Sequence, residues 1–205
     1  MKVLIVEDHA IVISGCRTLF SEDEGVTVIE ARSLAAARAV LETETPDVIV
    51  LDINLPDGSG LDLTREIVRA DPNAKVIVFS MSDAPLLAIQ AIDCGAKGYV
   101  SKNDDPMGLR DAVLALVRGE TWLTHELAQE IALIKASGNG VATKLTEREL
   151  LTLRLLVRGR SMAEVGSDLD VSYKTVAADC ASIRQKLNAR TSSEMVRIAV
   201  ELRIV

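Results

Sequence analysis

No stretch of this 205-residue sequence stays apolar for long enough to cross a membrane: runs such as Val48 to Leu51 with Ile53 reach only strand length, far below the roughly 20 residues a span requires. The opening Met1-Lys2-Val3-Leu4-Ile5-Val6 meets acid at Glu7, so neither a signal peptide nor a membrane helix is expected. Paired cysteines are lacking as well. Cys16, Cys94 and Cys180 are odd in number, far apart and without C-x-x-C spacing, which argues against metal or redox work by thiols and points to a reducing cytoplasm. Internal repeats and low-complexity tracts are absent. With 48% hydrophobic and 26% charged residues and a net charge of −7, the composition excludes disorder, collagen and coiled coil. The length fits one large domain or two small ones, each able to bury its own core.

Charge divides the chain. Residues 1–143 carry 12 basic and 22 acidic side chains, and residues 144–205 carry 11 basic and 8 acidic ones. An acidic body joined to a mildly basic module means that only the second part is suited to a polyanion. Between them, Ala136-Ser137-Gly138-Asn139-Gly140 reads as a flexible linker.

In the first part, β-branched runs recur at Val3 to Val6, Val26 to Ile29, Val48 to Leu51, Val76 to Phe79 and Gly98 to Val100. Ala- and Leu-rich stretches with helical spacing separate them, for example Leu34, Ala37, Val40 and Leu41. Nearly continuous apolar strands are buried on both faces, so the pattern predicts an α/β fold, a five-stranded parallel doubly wound sheet with helices on each side. In such folds functional residues gather at the carboxyl ends of the strands.

Those ends read Glu7-Asp8, then Asp52, Ser80 and Lys102. Three carboxylates at one sheet edge repel one another unless neutralised, and a hard divalent cation such as Mg²⁺ takes oxygen ligands of this kind. Lys102 can pair with an anion as a point charge, and Ser80 can donate one hydrogen bond to it. Together these groups would stabilise a phosphoryl group transferred to a carboxylate. One aspartate at a strand end is ordinarily a solvated acid or a helix cap; four strand ends in agreement carry the reading.

The segments Leu4-Ile5-Val6-Glu7-Asp8-His9, Val50 to Gly60, Phe79-Ser80-Met81-Ser82 and Gly98-Tyr99-Val100-Ser101-Lys102 resemble the signature of a response-regulator receiver domain, over residues 1 to about 120. The resemblance implies that Asp52 accepts a phosphoryl group from a sensor histidine kinase. It likewise implies that Glu7, Asp8, Asp52 and the backbone carbonyl of Asn54 hold Mg²⁺, that Ser80 and Lys102 stabilise the phosphoryl oxygens, and that Ser80 and Tyr99 form the switch. His9 is expected to begin the next helix and is given no metal or phosphotransfer role. Thr121 to Lys135 reads as a joining helix.

From Leu145 the pattern changes. Thr146 to Glu149 is a capping box before an apolar helix that Gly159 stops, and Ser161 to Glu164 is another, opening a short helix through Leu169. Asp170-Val171 turn the chain, Ser172 caps a longer helix to about Leu187, and a fourth helix spans about Ser193 to Arg203. A helix-turn-helix of this kind puts its second helix into a major groove. The segments Leu145 to Leu150, Leu155 to Gly159, Val171 to Val176 and Ile183 to Leu187 resemble the LuxR-type helix-turn-helix of the NarL and FixJ regulators. The resemblance implies a receiver domain over 1–120, a helical linker and Gly-rich hinge over 121–143, and a small all-α four-helix domain over 144–205. It makes Ser172, Lys174, Thr175, Ala178, Asp179, Ser182, Arg184 and Lys186 the candidates for contact with double-stranded DNA.

Two departures stand out. Where the family commonly carries Lys and His, this chain has Ala177 and Asp179, and Gly166 sits inside the short helix. Asp179 has Thr175, Ser182 and Ile183 at its helical spacings, so no cation there neutralises it. It either accepts a hydrogen bond from cytosine N4 or pairs elsewhere and touches no DNA. Gly166 costs about 1 kcal/mol relative to Ala but permits close approach of the reading helix. The expectation is a cytoplasmic two-component response regulator, not an enzyme beyond its own phosphorylation and dephosphorylation, homodimeric when activated and controlling transcription. The alternative is a phosphoacceptor adaptor or phosphate sink whose divergent helix-turn-helix does not bind DNA in the usual way.

Overall fold

The computed structural model describes residues 1–21, 25–136, 145–187 and 189–201. The chain forms two compact units, residues 1–83 with 88–128, and residues 84–87 with 129–205. In chain order the first part holds β1 (Lys2–Val6), α1 (Ala10–Ser21), β2 (Thr27–Ala31), α2 (Leu34–Thr43), β3 (Val48–Leu51), the short β4 (Asn54–Leu55) and β5 (Gly58–Ser59), α3 (Gly60–Ala70), β6 (Val76–Ser80), α4 (Pro85–Asp93), β7 (Gly98–Ser101) and α5 (Pro106–Val117). The sheet is parallel throughout, in the order β2-β1-β3-β6-β7.

The alternation of side chains along each strand divides the core. Val3 and Ile5 of β1, with Val48 and Val50 of β3, face Cys16 and Phe20 of α1 and Leu109, Val113 and Leu116 of α5. Leu4 and Val6, with Ile49 and Leu51, face Leu34 and Ala37 of α2 and Leu63 and Ile67 of α3. Polar caps fix the helix starts: Ser33, Ser59 and Asp105 each accept an N–H from the first turn of the helix that follows. The joining helix begins later than its sequence pattern. Trp122 instead bridges to Gly98 at the edge of β7, its carbonyl accepting from Tyr99 N–H at 3.1 Å, and α6 runs over His125–Ala136. Trp122 also packs on the α1 and α5 side of the core, and that burial outweighs its place in a helical pattern. The expected Gly-rich hinge lies outside the described residues.

The second unit contains α7 (Glu147–Val157), α8 (Met162–Asp168), α9 (Tyr173–Lys186) and α10 (Ser192–Glu201). Both capping boxes are present. Gly159 ends α7 at φ 85°, and Asp170 takes φ 53° in the turn between α8 and α9. Val165, Val176 and Cys180 form a core with Leu155, Leu156, Met162, Leu169 and Val171. A Cβ on Gly166 would stand 2.9 Å from the Val171 carbonyl, so the absent side chain is what lets the turn close on α8.

Candidate functional site

The register of the sheet brings the acidic groups together. Val6 pairs with Leu51, so Glu7 and Asp52 emerge side by side from β1 and β3, where the strand order reverses. Ser80 pairs with Ser101, and Lys102, the next residue, donates its N–H to the Ser80 carbonyl at 2.7 Å. The Lys102 side chain then lies under the cluster, its Nζ 2.5 Å from Glu7 Oε2 and 2.8 Å from Asp52 Oδ2. It also stands 5.6 Å from the centre of the Phe79 ring. All three ion-pair side chains are 5% exposed or less.

Burial pushes the Asp52 carboxyl above its usual range, and Glu7 adds to this, against the opposing effect of Lys102. Burial alone would lower Lys102, but its hydrogen bonds to Asp52 and Glu7 more than offset it and keep the ammonium charged. His9 Nδ1 lies 2.8 Å from Glu7 Oε1 and 2.9 Å from Asp8 Oδ1, which raises the imidazole toward its charged form. Ligand atoms of Glu7, Asp8, His9 and Asp52 lie within 4.8 Å of one another, a grouping able to hold a metal ion. Asp8 Oδ1 and Glu7 Oε2 are buried and, apart from these ion pairs, have no hydrogen bond of good geometry. Asp52 Oδ1 accepts a long bond, 3.4 Å, from Asn54 N–H. Ser80 is fully buried, its Oγ accepting from Ser82 N–H at 3.1 Å. Tyr99 is buried too, and its hydroxyl donates to the Ser82 carbonyl at 2.6 Å.

In the second unit Ser172 caps α9, its Oγ accepting from Thr175 N–H and lying 2.8 Å from Thr175 Oγ1. Lys174, Ala178, Ala181 and Gln185 make an exposed stripe along the helix. On the side toward α7, Arg148 Nε and Nη2 donate to the two oxygens of Asp179 at 2.8 and 2.9 Å. Beside it Glu149 takes Lys186 Nζ on both oxygens, at 2.8 and 2.7 Å, and the Ser182 hydroxyl at 2.6 Å.

Residues 3–114 match the family described as response regulator receiver domain, and residues 143–199 the one described as bacterial regulatory proteins, luxR family. The oxygen regulatory protein NreC of Staphylococcus carnosus is 32% identical over 216 residues, covering 100% of this chain and 99% of its own. The chain belongs to the two-component response regulators. Similar to this regulator as well is the transcriptional regulatory protein YdfI of Bacillus subtilis, 31% identical over 204 residues, with 98% of this chain and 95% of YdfI covered. Among solved structures, RcsB from Salmonella enterica serovar Typhimurium, bound to promoter rprA in the presence of phosphomimetic BeF3-, is 27% identical with a TM-score of 0.62 and 96% of each chain covered. The regulator carries a DNA-binding C-terminal domain and is a transcription factor, not a conventional enzyme. Among the described residues no helix is long and apolar enough to cross a membrane.

The structure gathers Glu7, Asp8, Asp52, Asn54, Ser80 and Lys102 at one edge of the regulator's sheet, with Tyr99 inward nearby. His9, given no part in advance, joins the acidic cluster. Asp179 is corrected: it is 5% exposed and turned toward α7, so it is not on the exposed face of α9, and its partner is Arg148. Ser182 and Lys186 are half-buried and engaged by Glu149. Tyr173 and Gln185, which the reading of the sequence passed over, are exposed on α9. The Arg148 and Glu149 partners lie 31 to 37 residues away, beyond any search along one helix.

Proposed function

We propose that Asp52 is the phosphoacceptor of this regulator, on the strength of one observation: a buried carboxylate at the reversal of strand order, paired with a buried lysine that also contacts Glu7. The phosphoryl group passes from an imidazole nitrogen of the sensor kinase to an Asp52 carboxylate oxygen, the P–N bond breaking as the acyl-phosphate P–O bond forms and the donor imidazole left neutral. Lys102 moves its attraction from the Asp52 carboxylate to the arriving phosphoryl oxygens, so the charge stabilisation is in place before the group arrives.

The donor set fits Mg²⁺, being hard oxygens, two of them buried atoms that have ion pairs to Lys102 and His9 as their contacts. Glu7, Asp8, Asp52 and the Asn54 carbonyl would hold the ion, which when bound neutralises charge on the transferring group. Loss of the phosphoryl group as inorganic phosphate by attack of water at the same site makes the regulator catalyse only its own modification and recovery. Ser80 and Tyr99 form the switch: Tyr99 already ties β7 to the segment after β6, and a move of Ser80 toward the phosphoryl group is transmitted along that tie. Phosphorylation then favours a homodimer whose two helix-turn-helix modules meet adjacent half-sites on double-stranded DNA. The domain limits that suit this reading are 1–120 for the receiver, 121–143 for the linker and 144–205 for the DNA-binding domain.

The test uses the full-length protein with acetyl phosphate and Mg²⁺. Intact-mass analysis should show a gain of one phosphoryl group, absent in Asp52→Asn and greatly slowed in Asp8→Asn, with light scattering reporting a shift to dimer. Unchanged phosphorylation of Asp52→Asn would sink the assignment.

A further inference from the structure

Basic charge is sparse on the reading helix. Of the cations in residues 172–186, Lys186 is bound through its ammonium to Glu149, leaving Lys174 and Arg184 without partners among the described residues. The exposed stripe between them is narrow, because Ala178 and Ala181 occupy its middle. A helix about 10–12 Å across fills a major groove about 12 Å wide, so side chains on its two flanks face the phosphate strands. Arg184 lies on one flank, at about 100° per residue round the helix. On the α7 side, beyond the other flank, the Asp179 carboxylate is 5% exposed, so it meets no phosphate itself but leaves that side negative.

Arg148 changes the sign of that side. Its Nε and Nη2 lie on the two Asp179 oxygens, so one edge of the planar guanidinium is fixed, and the side chain is nonetheless 55% exposed. Nη1 has no partner among the described residues. An arginine held by one edge presents the other as a preorganised pair of donors, the geometry that suits a phosphate. We propose that Arg148 is a DNA-backbone contact of this regulator, with Asp179 as its positioning residue. The cation that the helix lacks at position 179 is supplied from α7. This inference rests on the DNA-binding reading of α9 given above.

The experiment is a fluorescence-anisotropy titration of full-length protein against a mixed-sequence duplex of about 30 base pairs, roughly three helical turns. Salt is varied between about 50 and 200 mM, where each phosphate contact contributes about 0.9 to the slope of log affinity against log salt. Arg148→Met should give a slope shallower by about 0.9. Arg148→Lys keeps the charge and a hydrogen bond to Asp179, so it should melt like the wild type, yet it offers no second edge and should show the same shallower slope. If Arg148→Met fails to fold, Arg148→Lys decides alone. Wild-type slope in every folded variant overturns the proposal, whatever their affinity. Absence of binding by the wild type would instead remove the DNA-binding reading itself, so the two failures are told apart.

Discussion

At the carboxyl edge of the sheet Glu7, Asp8 and Asp52 share Lys102 and His9, whereas in the second unit Asp179 has Arg148 and Glu149 has Lys186. Burial raises Asp52, so its charged form is disfavoured in the folded protein. Burial acts upward on Glu149 as well, but the bonds from Lys186, Ser182 and the Thr146 backbone outweigh it and hold the carboxyl below its usual range. The same residue types thus serve opposite ends. The first cluster is left with excess negative charge, which a divalent cation held there would relieve. The second is complete within the fold and fixes α9 against α7.

The sharpest way to separate the two regions is through their tight glycines. A Cβ on Gly60 would lie 2.0 Å from the Asp52 carbonyl oxygen, whose peptide positions the proposed phosphoacceptor, and backbone on both sides leaves no room to yield. Gly60→Ala should cost about 3 kcal/mol or more and abolish phosphorylation. Gly166→Ala meets the Val171 carbonyl at 2.9 Å but gains about 1 kcal/mol of helix propensity, so its net loss should be smaller. Thermal unfolding of both variants checks this, and equal losses would mean that the two close approaches are equivalent after all.

Much of this was legible from residue pattern. The strand-end residues Glu7, Asp52, Ser80 and Lys102 were visible because a parallel sheet turns positions far apart in sequence into one edge by rule. Likewise the caps Thr146, Ser161 and Ser172 act on residues two or three places away, so their signal is local. Arg148 with Asp179 was not legible, because it depends on the angle at which α7 crosses α9 and no local rule supplies it. His9 was missed for a related reason. A histidine opening a helix reads as a cap, and indeed its carbonyl accepts from Val12 and Ile13, while its ring turns back to Glu7 and Asp8.

Next in size comes a pair of aspartates, both nearly buried, expected to respond with opposite signs. Asp179→Ala removes two charge-assisted bonds and should cost about 1–3 kcal/mol, the lower part of that range being favoured because Arg148 can return to water. Asp52→Asn removes a charge that the fold disfavours and leaves Lys102 its bond to Glu7, so without added metal it should melt slightly above the wild type. Calorimetry in a chelating buffer measures both. Destabilisation by Asp52→Asn would mean that Lys102 neutralises the site fully, and the contrast between the regions would collapse.

The smallest effect concerns pH. Glu149 is depressed in the folded state, so it binds fewer protons there than when unfolded, and its contribution to stability is present above the unfolded glutamate value, about 4.3. That contribution should fade as pH falls through the lower folded value. Asp52 runs the other way: a raised group holds more protons when folded, so its contribution weakens as pH rises through the unfolded aspartate value, about 3.9, toward the folded one. The acid limb of the second unit's unfolding should therefore flatten in Glu149→Gln, which also loses about 1 kcal/mol at neutral pH through its weaker bond to Lys186. Tyrosine fluorescence offers a local probe, since Tyr173 is the one tyrosine of the second unit and Tyr99 that of the first. An acid limb as steep in Glu149→Gln as in the wild type would show that the α7–α9 latch is held by Arg148 and Asp179 alone.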